Sequence, residues 1–158
     1  MLSIFVALAV RCLLVMLFLP FSALDKILNF KQAVGQAGQA ARSNGLATVL
    51  ILCGLGVETV MPLAILTGFA DRLAALILAG YCVVTALLWK QFWNTSDFRL
   101  KGESRGRDIF WDFLKNLALA GGFLLLAFGA DASGVRRFLD NPLASSHPYA
   151  VTRAGGDR

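Results

Sequence analysis

Five polar side chains interrupt the apolar runs of this sequence, and their types could support chemistry. They are Arg11, Glu58, Asp112, Lys115 and Asn116. A charged side chain at the centre of a bilayer costs about 2.5 to 3.5 kcal/mol on insertion scales, and such residues commonly pair, bind a ligand or relay protons. The sequence therefore predicts an intramembrane polar network or ligand site at these positions, without assigning a catalytic residue.

The spacing of these residues suggests how they pair. Arg11 lies near the midpoint of its apolar run and Glu58 at the midpoint of the next, so we expect matching depth. Glu58 could accept a forked hydrogen bond from Arg11 and a charge contact from Lys115. Asp112 has Lys115 at i+3 and Asn116 at i+4, on one helical face. Three interpretations stay open: a structural salt-bridge network, a ligand or proton site, and a Lys115 that snorkels unpaired.

Four apolar runs must position these residues. Of 158 residues, 57% are hydrophobic and 16% charged, and the mean hydropathy is +0.66, unlike a soluble domain. A bilayer core about 30 Å thick needs roughly 20 apolar residues per helix. Runs of this length lie at residues 2–24, 45–69, 73–93 and 109–130. Their unbroken apolar character argues against a β-barrel, so we predict an all-α, integral membrane four-helix bundle.

Little of the chain lies outside these runs. We predict one domain over residues 1–134, followed by a polar C-terminal tail over residues 135–158. The first run has no Lys or Arg before it, is longer than the apolar region of a signal peptide and contains Arg11. We therefore expect a retained helix rather than a cleaved signal peptide.

Prolines and small residues predict how the helices bend and meet. Pro20 and Pro62 lack a backbone donor, so a kink is expected at each. Gly68 can end the second helix, and Asp71 can cap the third. Small residues let membrane helices approach closely. The candidates for such contacts are Gly54, Gly56, Ala75, Ala79, Ala118 and Gly122.

Charge and tryptophan placement predict the orientation. Eight membrane-proximal basic residues follow helices one and three, against three on the other side. The eight are Lys26, Lys31, Arg42, Lys90, Arg99, Lys101, Arg105 and Arg107. This bias favours cytoplasmic placement of the loops after helices one and three, with both termini outside. Trp89, Trp93 and Trp111 flank the basic loop, where we expect them to anchor at the interface. The net charge of +5 fits contact with anionic headgroups, and no nucleic-acid partner is predicted.

Cysteine and histidine are too sparse to predict an intrinsic cofactor. The only histidine, His147, lies in the tail, and Cys12, Cys53 and Cys82 are spread over three helices. No metal, haem or iron–sulfur site is predicted from such a set. A packing role is favoured for the cysteines, with a membrane-embedded redox pair as the alternative. No nucleotide-binding glycine motif with a following strand is visible.

Several motifs follow one another in a set order along the chain. Arg11 is followed by FSALDK at 21–26, GxGxE at 54–58, LxGFADRLAAL at 66–76 and FLKNLALAGG at 113–122. Together they resemble the DoxX family of small bacterial four-helix membrane proteins, over almost everything before Gly134. The family's polar positions fall on Arg11, Lys26, Glu58, Arg72, Lys115 and Asn116. Leu24-Asp25 stands where the family usually has Gly before the Lys, which argues against a tight turn there.

The resemblance implies a membrane subunit or accessory of a quinone- or thiol-linked redox system in the bacterial inner membrane. A quinone headgroup would be held by Arg11, Glu58 and Lys115, and a soluble or membrane redox protein would be the partner. Two other classes stay open: a structural or assembly protein that docks an enzyme through the basic loop, and a small-solute or proton pathway, although no inverted repeat is visible. The lipid bilayer is a partner in each case, and a homo-oligomer also stays open.

Overall fold

Helices dominate the computed structural model, which describes residues 1–38, 41 and 43–150; these residues contain no strand. Arg42, Arg153 and Arg158 lie outside the described residues. Four segments are long and apolar enough to cross a membrane. They are Leu2–Leu28, Asn44–Thr67, Asp71–Asn94 and Arg105–Phe128. The predicted all-α class with four spans is confirmed.

The first segment bends in its second half. Helix α1 (Leu2–Val15) leads into a π-helical turn at Leu17–Ser22, and α2 (Ala23–Leu28) resumes α-helical geometry. Leu19 leaves the helical region at φ −118° and ψ 113°, directly before Pro20. The predicted kink is confirmed, because proline removes the donor that would continue the helical ladder. The segment recovers after the kink and so extends past the predicted end at residue 24.

The second and third spans form the predicted antiparallel hairpin. Helix α3 (Phe30–Ala37) packs against α4 (Asn44–Thr67), which meets α5 (Asp71–Trp89). Gly68 ends α4 at φ +77°, as predicted, because a residue without Cβ takes this conformation easily. The prediction that Asp71 caps α5 is wrong. Ala70 holds the capping position, and no side chain caps this end.

The second span contains one proline and begins at a serine cap. Helix α4 continues without interruption through Pro62. Its start is fixed by Ser43, whose Oγ accepts a hydrogen bond from the backbone N–H of Leu46 at 3.2 Å.

The fourth span begins earlier than residue 109, the predicted start. The N-cap of helix α6 (Arg105–Phe128) is Ser104, whose Oγ accepts a hydrogen bond from the backbone N–H of Arg107 at 3.2 Å. The Asp97 carboxylate accepts two more from the first turn, from the backbone N–H groups of Arg105 at 2.8 Å and Gly106 at 3.0 Å. The helix ends at Gly129, with φ +78°. A short helix, α7 (Ala132–Asp140), follows in the region predicted as a polar tail.

The core lies between the first segment, α4, α5 and α6. Its largest members are Val15, Phe18, Ile65, Leu78 and Phe123. Alanines fill the closest approach between helices, because small side chains let backbones pack tightly. Ala75 and Ala79 are both buried there, which confirms these two predicted contacts.

The glycine contacts are confirmed only in part. A Cβ on Gly54 would lie 3.1 Å from Tyr81 Oη, and one on Gly122 would lie 2.8 Å from Leu14 Cδ2. Gly56 and Ala118 are exposed, so their predicted place in a helix contact is wrong. Gly56 follows Gly54 by two residues, which is about 200° around the helix and therefore on its other side.

Candidate functional site

The Glu58 network consists of Ser22, Lys26, Glu58 and Tyr81. Glu58 is only 2% exposed, yet its carboxylate has three side-chain partners. Lys26 Nζ lies 2.6 Å from both Oε1 and Oε2. Ser22 Oγ donates to Oε1 at 3.0 Å, and Tyr81 Oη donates to the same oxygen at 2.8 Å. This arrangement satisfies a carboxylate that the bilayer would otherwise leave unsolvated.

The kink of the first segment brings two of these donors to Glu58. Ser22 ends the π-helical turn and Lys26 follows at i+4, so the two side chains share a face. Lys26 Nζ also donates to Ser22 Oγ at 2.9 Å, which links the donors to each other. Gly54, one turn before Glu58, leaves the room that the Tyr81 hydroxyl occupies.

Lys26 is the accessible end of the Glu58 network. Its side chain is 19% exposed, against 3% for Glu58. The neighbouring surface is apolar, since Phe21 and Leu24 are both largely exposed on the same segment. The accessible end of the network therefore borders an exposed apolar surface.

Arg11 belongs to a second buried network at the hairpin end of the bundle. Its Nη2 donates to Asp71 Oδ2 at 2.7 Å, and its Nε donates to the carbonyl of Ile65 at 3.2 Å. Ser146 completes the arrangement: its Oγ accepts from Arg11 Nη2 at 2.8 Å and its backbone N–H donates to Asp71 Oδ1 at 2.8 Å. The Ser146 hydroxyl also donates to Asp71 Oδ2. Arg11 and Asp71 are both buried.

A C-terminal latch, residues 145–149, holds Ser146 in this position. The Pro148 ring packs over Gly68, where an added Cβ would lie 3.0 Å from Pro148 Cγ. The Tyr149 hydroxyl donates to the carbonyl of Leu66. The latch therefore joins the end of the chain to the α4–α5 hairpin and to the first helix.

The third charged group lies at the opposite end of the bundle. Lys90 Nζ is 3.1 Å from Asp112 Oδ2, and Lys115 Nζ is 3.3 Å from Asp112 Oδ1. The Lys115 side chain is 72% exposed, and Asn116 is half-buried beside it. These side chains are as exposed as those of a surface ion pair, and much more exposed than the side chains of the two buried networks.

The predicted pairing of Glu58 with Arg11 and Lys115 is wrong. Helix one meets α4 in a different register: Arg11 lies beside Ile65, and Ser22 lies beside Glu58. The predicted depth of Arg11 was wrong because it was taken from the midpoint of residues 2–24. The segment continues past its kink to Leu28, so its true midpoint lies further along the chain than Arg11. Lys115 points to Asp112 instead. A functional role for the five predicted residues stays a prediction.

Five network members were not among the predicted site residues: Ser22, Lys26, Asp71, Tyr81 and Ser146. The sequence did indicate Lys26, because this residue occupies one of the polar positions of the family that the chain resembles. A lysine near a helix end can also extend its side chain along the helix to reach a buried partner. Asp71 had a signal as an acidic residue at a hairpin opposite an arginine-bearing helix. Ser146 lies 135 residues from Arg11, and no local pattern indicates such a contact.

The tryptophans and cysteines occupy the surface more than the core. Trp93 and Trp111 are about half exposed beside the loop after α5, and Trp89 is half-buried there. Their anchoring role stays a prediction. Cys12 and Cys53 are exposed and Cys82 is buried, all three as free thiols. Within residues 1–38, 41 and 43–150, no group of three His, Cys, Asp or Glu side chains could hold a metal ion.

Comparison with known protein families identifies the family of this chain. A profile of the DoxX family matches residues 6–91, more than half of the chain. This region contains both partners of each buried ion pair, Arg11 with Asp71 and Lys26 with Glu58. No curated protein and no solved structure matches the chain.

Proposed function

Because this multi-pass membrane protein belongs to the DoxX family, we propose that it is the membrane subunit of a redox system whose quinone headgroup site is the Glu58 network. The observation that carries the proposal is one buried carboxylate surrounded by three proton-bearing groups at a lipid-facing kink. Intramembrane ionisable groups are expensive and often functional.

The donor set fits a quinone headgroup. A bound quinone supplies two-electron, two-proton redox chemistry, with the electrons coming from a partner redox protein. Lys26 Nζ and Tyr81 Oη each carry a proton and already converge within hydrogen-bond distance of one oxygen, Glu58 Oε1. A carbonyl oxygen near that point would accept from the same groups. Glu58 would keep Lys26 and Tyr81 oriented toward that point by accepting their hydrogen bonds.

Access to the network favours a lipid-soluble ligand. Phe21 and Leu24 border Lys26 and Ser22 and are exposed to the apolar phase. A quinone dissolved in the bilayer would reach Lys26 without entering water, while its isoprenoid chain remained among the acyl chains. A thiol substrate in the aqueous phase would lack this route.

Quinone binding by the purified full chain tests the proposal. We expect the protein in mild detergent to bind a short-chain quinone, and Tyr81→Phe to weaken binding about two- to tenfold, the worth of one net hydrogen bond. Asp112→Asn is the matched control, since it removes a carboxylate from an exposed ion pair and should bind as the wild type does. Absence of binding by the wild type, or equal binding by Tyr81→Phe, contradicts the site.

A docking role for the loop after α5 is the second candidate. Asp97 and Ser104 order this loop: Ser104 Oγ donates to the Asp97 carbonyl at 2.6 Å and accepts from the Arg99 N–H at 3.1 Å. A cavity of about 890 Å³ lies beside it, with Trp89 and Arg105 in its lining. We expect Arg99→Glu with Lys101→Glu to reduce co-purification of a redox partner while quinone binding persists. Unchanged co-purification contradicts the docking role.

A further inference from the structure

The short helix α7 has two chemically different faces. Phe138 is buried and packs on Phe128, the last residue of α6, with ring centroids 5.3 Å apart. Val135 and Leu139 lie within about 100° of Phe138 around the helix, and Arg136 and Arg137 lie on the other side. One side of α7 is therefore apolar and the other cationic.

The apolar face is larger than the bundle covers. Leu139 is 70% exposed and Val135 is 45% exposed, although both stand next to the buried Phe138. Leu143, just past the helix, is also exposed. On a water-facing surface these three side chains would form an unfavourable patch.

The connection fixes α7 at the membrane border. Only residues 129–131 separate it from α6, and three residues reach about 10 Å at full extension. Leu125, one turn before the end of α6, is 60% exposed on the surface of the span. Helix α7 therefore lies close to an exposed apolar side chain of the fourth span.

Polar contacts hold the start of the helix. The pKa of the Asp131 carboxyl is held below its ordinary value by a hydrogen bond from Ser133 Oγ at 2.8 Å and by the nearby Arg137. Arg137 Nη2 lies 3.0 Å from Asp131 Oδ1. Arg136 has no such partner within residues 43–150 and is exposed, so it can meet an anionic headgroup.

We propose that α7 is an interfacial helix that inserts Val135 and Leu139 into the acyl-chain boundary of the bilayer, with Arg136 at anionic lipid headgroups. An amphipathic helix with a cationic polar face lies in the interface plane in this manner. The proposal concerns the surface of the chain that leaves the fourth span, and it is independent of quinone binding.

Depth measurement with a single environment-sensitive label tests the inference. The full chain would carry Cys12→Ala and Cys53→Ala, both exposed positions, while the buried Cys82 stays. Leu139→Cys or the matched Arg136→Cys would be labelled with a nitrobenzoxadiazole dye in vesicles of phosphatidylcholine and phosphatidylglycerol. We expect blue-shifted emission at position 139, strong quenching by doxyl lipid and weak quenching by iodide. Position 136 should show the reverse.

Each other outcome overturns the proposal. Equal iodide quenching at the two positions places the apolar face in water. A label at 139 that neither quencher reaches shows that protein covers the face, as a second copy of this chain would. Leu139→Asp should leave the bundle folded, since the side chain is largely exposed, and should reduce doxyl quenching of a label at Val135→Cys. Undiminished quenching there also contradicts insertion.

Discussion

Glu58 depends on Lys26 for its only positive partner at bonding distance among the described residues. Lys26→Met keeps the apolar stem and removes the charge, which leaves a buried carboxylate uncompensated. Loss of one partner from a buried pair costs about 3 to 5 kcal/mol. We expect a clear fall in the detergent melting temperature of Lys26→Met.

The control for this change is Lys115→Met, which removes an equal charge from a side chain that is mostly exposed. Exposed pairs contribute at most about 1 kcal/mol. The Glu58 carboxylate would not depend on Lys26 if Lys26→Met had the melting temperature of the wild type while Lys115→Met had a lower one.

Double-mutant cycles distinguish the observed pairing from the pairing that depth alone suggests. Arg11→Gln and Asp71→Asn should couple by about 0.5 to 3 kcal/mol in the free energy of unfolding, because the side chains are in direct contact. Arg11→Gln and Glu58→Gln share no partner, so their effects should add within about 0.5 kcal/mol. Strong coupling of Arg11 with Glu58 would contradict the register of helix one.

At the start of α6, Gly106 leaves no room for a single added methyl group. A Cβ on Gly106 would fall well inside contact distance of Thr95 Oγ1 and 2.9 Å from the Phe98 backbone. Because Phe98 Cα cannot rotate away, Gly106→Ala should destabilise the fold by about 1 to 3 kcal/mol. The measurement is thermal unfolding in detergent.

Gly121 in the same helix is the matched control. An added Cβ there meets nothing within 4 Å, and Ala is the better helix former, so Gly121→Ala should be neutral or stabilising by up to about 1 kcal/mol. A larger loss at Gly121 than at Gly106 would show that the loop after α5 does not pack on α6 as described.

At the scale of elements, the sequence predicted the spans well and their contacts poorly. Hydropathy is a sum over neighbouring residues, so the four helices could be predicted directly from the sequence. The Gly68 turn and the Pro20 kink could be predicted from the backbone properties of glycine and proline. The N-cap Ser104 and the supporting Asp97 both lie outside the apolar run, which is why the predicted start of α6 at residue 109 was late. The pairing of Ser146 with Arg11 depends on how two distant segments are aligned along each other. A run of apolar residues contains no information about that alignment.

The whole molecule keeps its two buried ion pairs apart. Phe18 lies between Arg11 and Ser22 along the first segment, and Leu78 lies between Asp71 and Tyr81 along α5. Both side chains are buried, and Phe18 packs on Phe123 at 5.8 Å between ring centroids. A close-packed apolar layer of this kind favours two separate polar sites over a continuous water-filled pathway.

The orientation of the whole molecule is a prediction that cysteine labelling tests. Basic residues around the loop after α5 favour its cytoplasmic placement. In a Cys12→Ala, Cys53→Ala background, a membrane-impermeant maleimide should label Asn141→Cys in intact cells, and Lys101→Cys only after permeabilisation. Both positions are exposed. The opposite labelling pattern would reverse the orientation.

The latch has a consequence for the order of events on the ribosome. Asp71 is made 60 residues after Arg11, and Ser146 is made 135 residues after it. At roughly 5 to 20 residues per second, Arg11 waits about 3 to 12 s for its carboxylate and about 7 to 27 s for its serine. The first helix must therefore enter the bilayer with a bare guanidinium, supported by its fourteen Leu, Ile, Val and Phe residues within 2–24. The nascent chain thus completes the Arg11 network only after Ser146 has been synthesised.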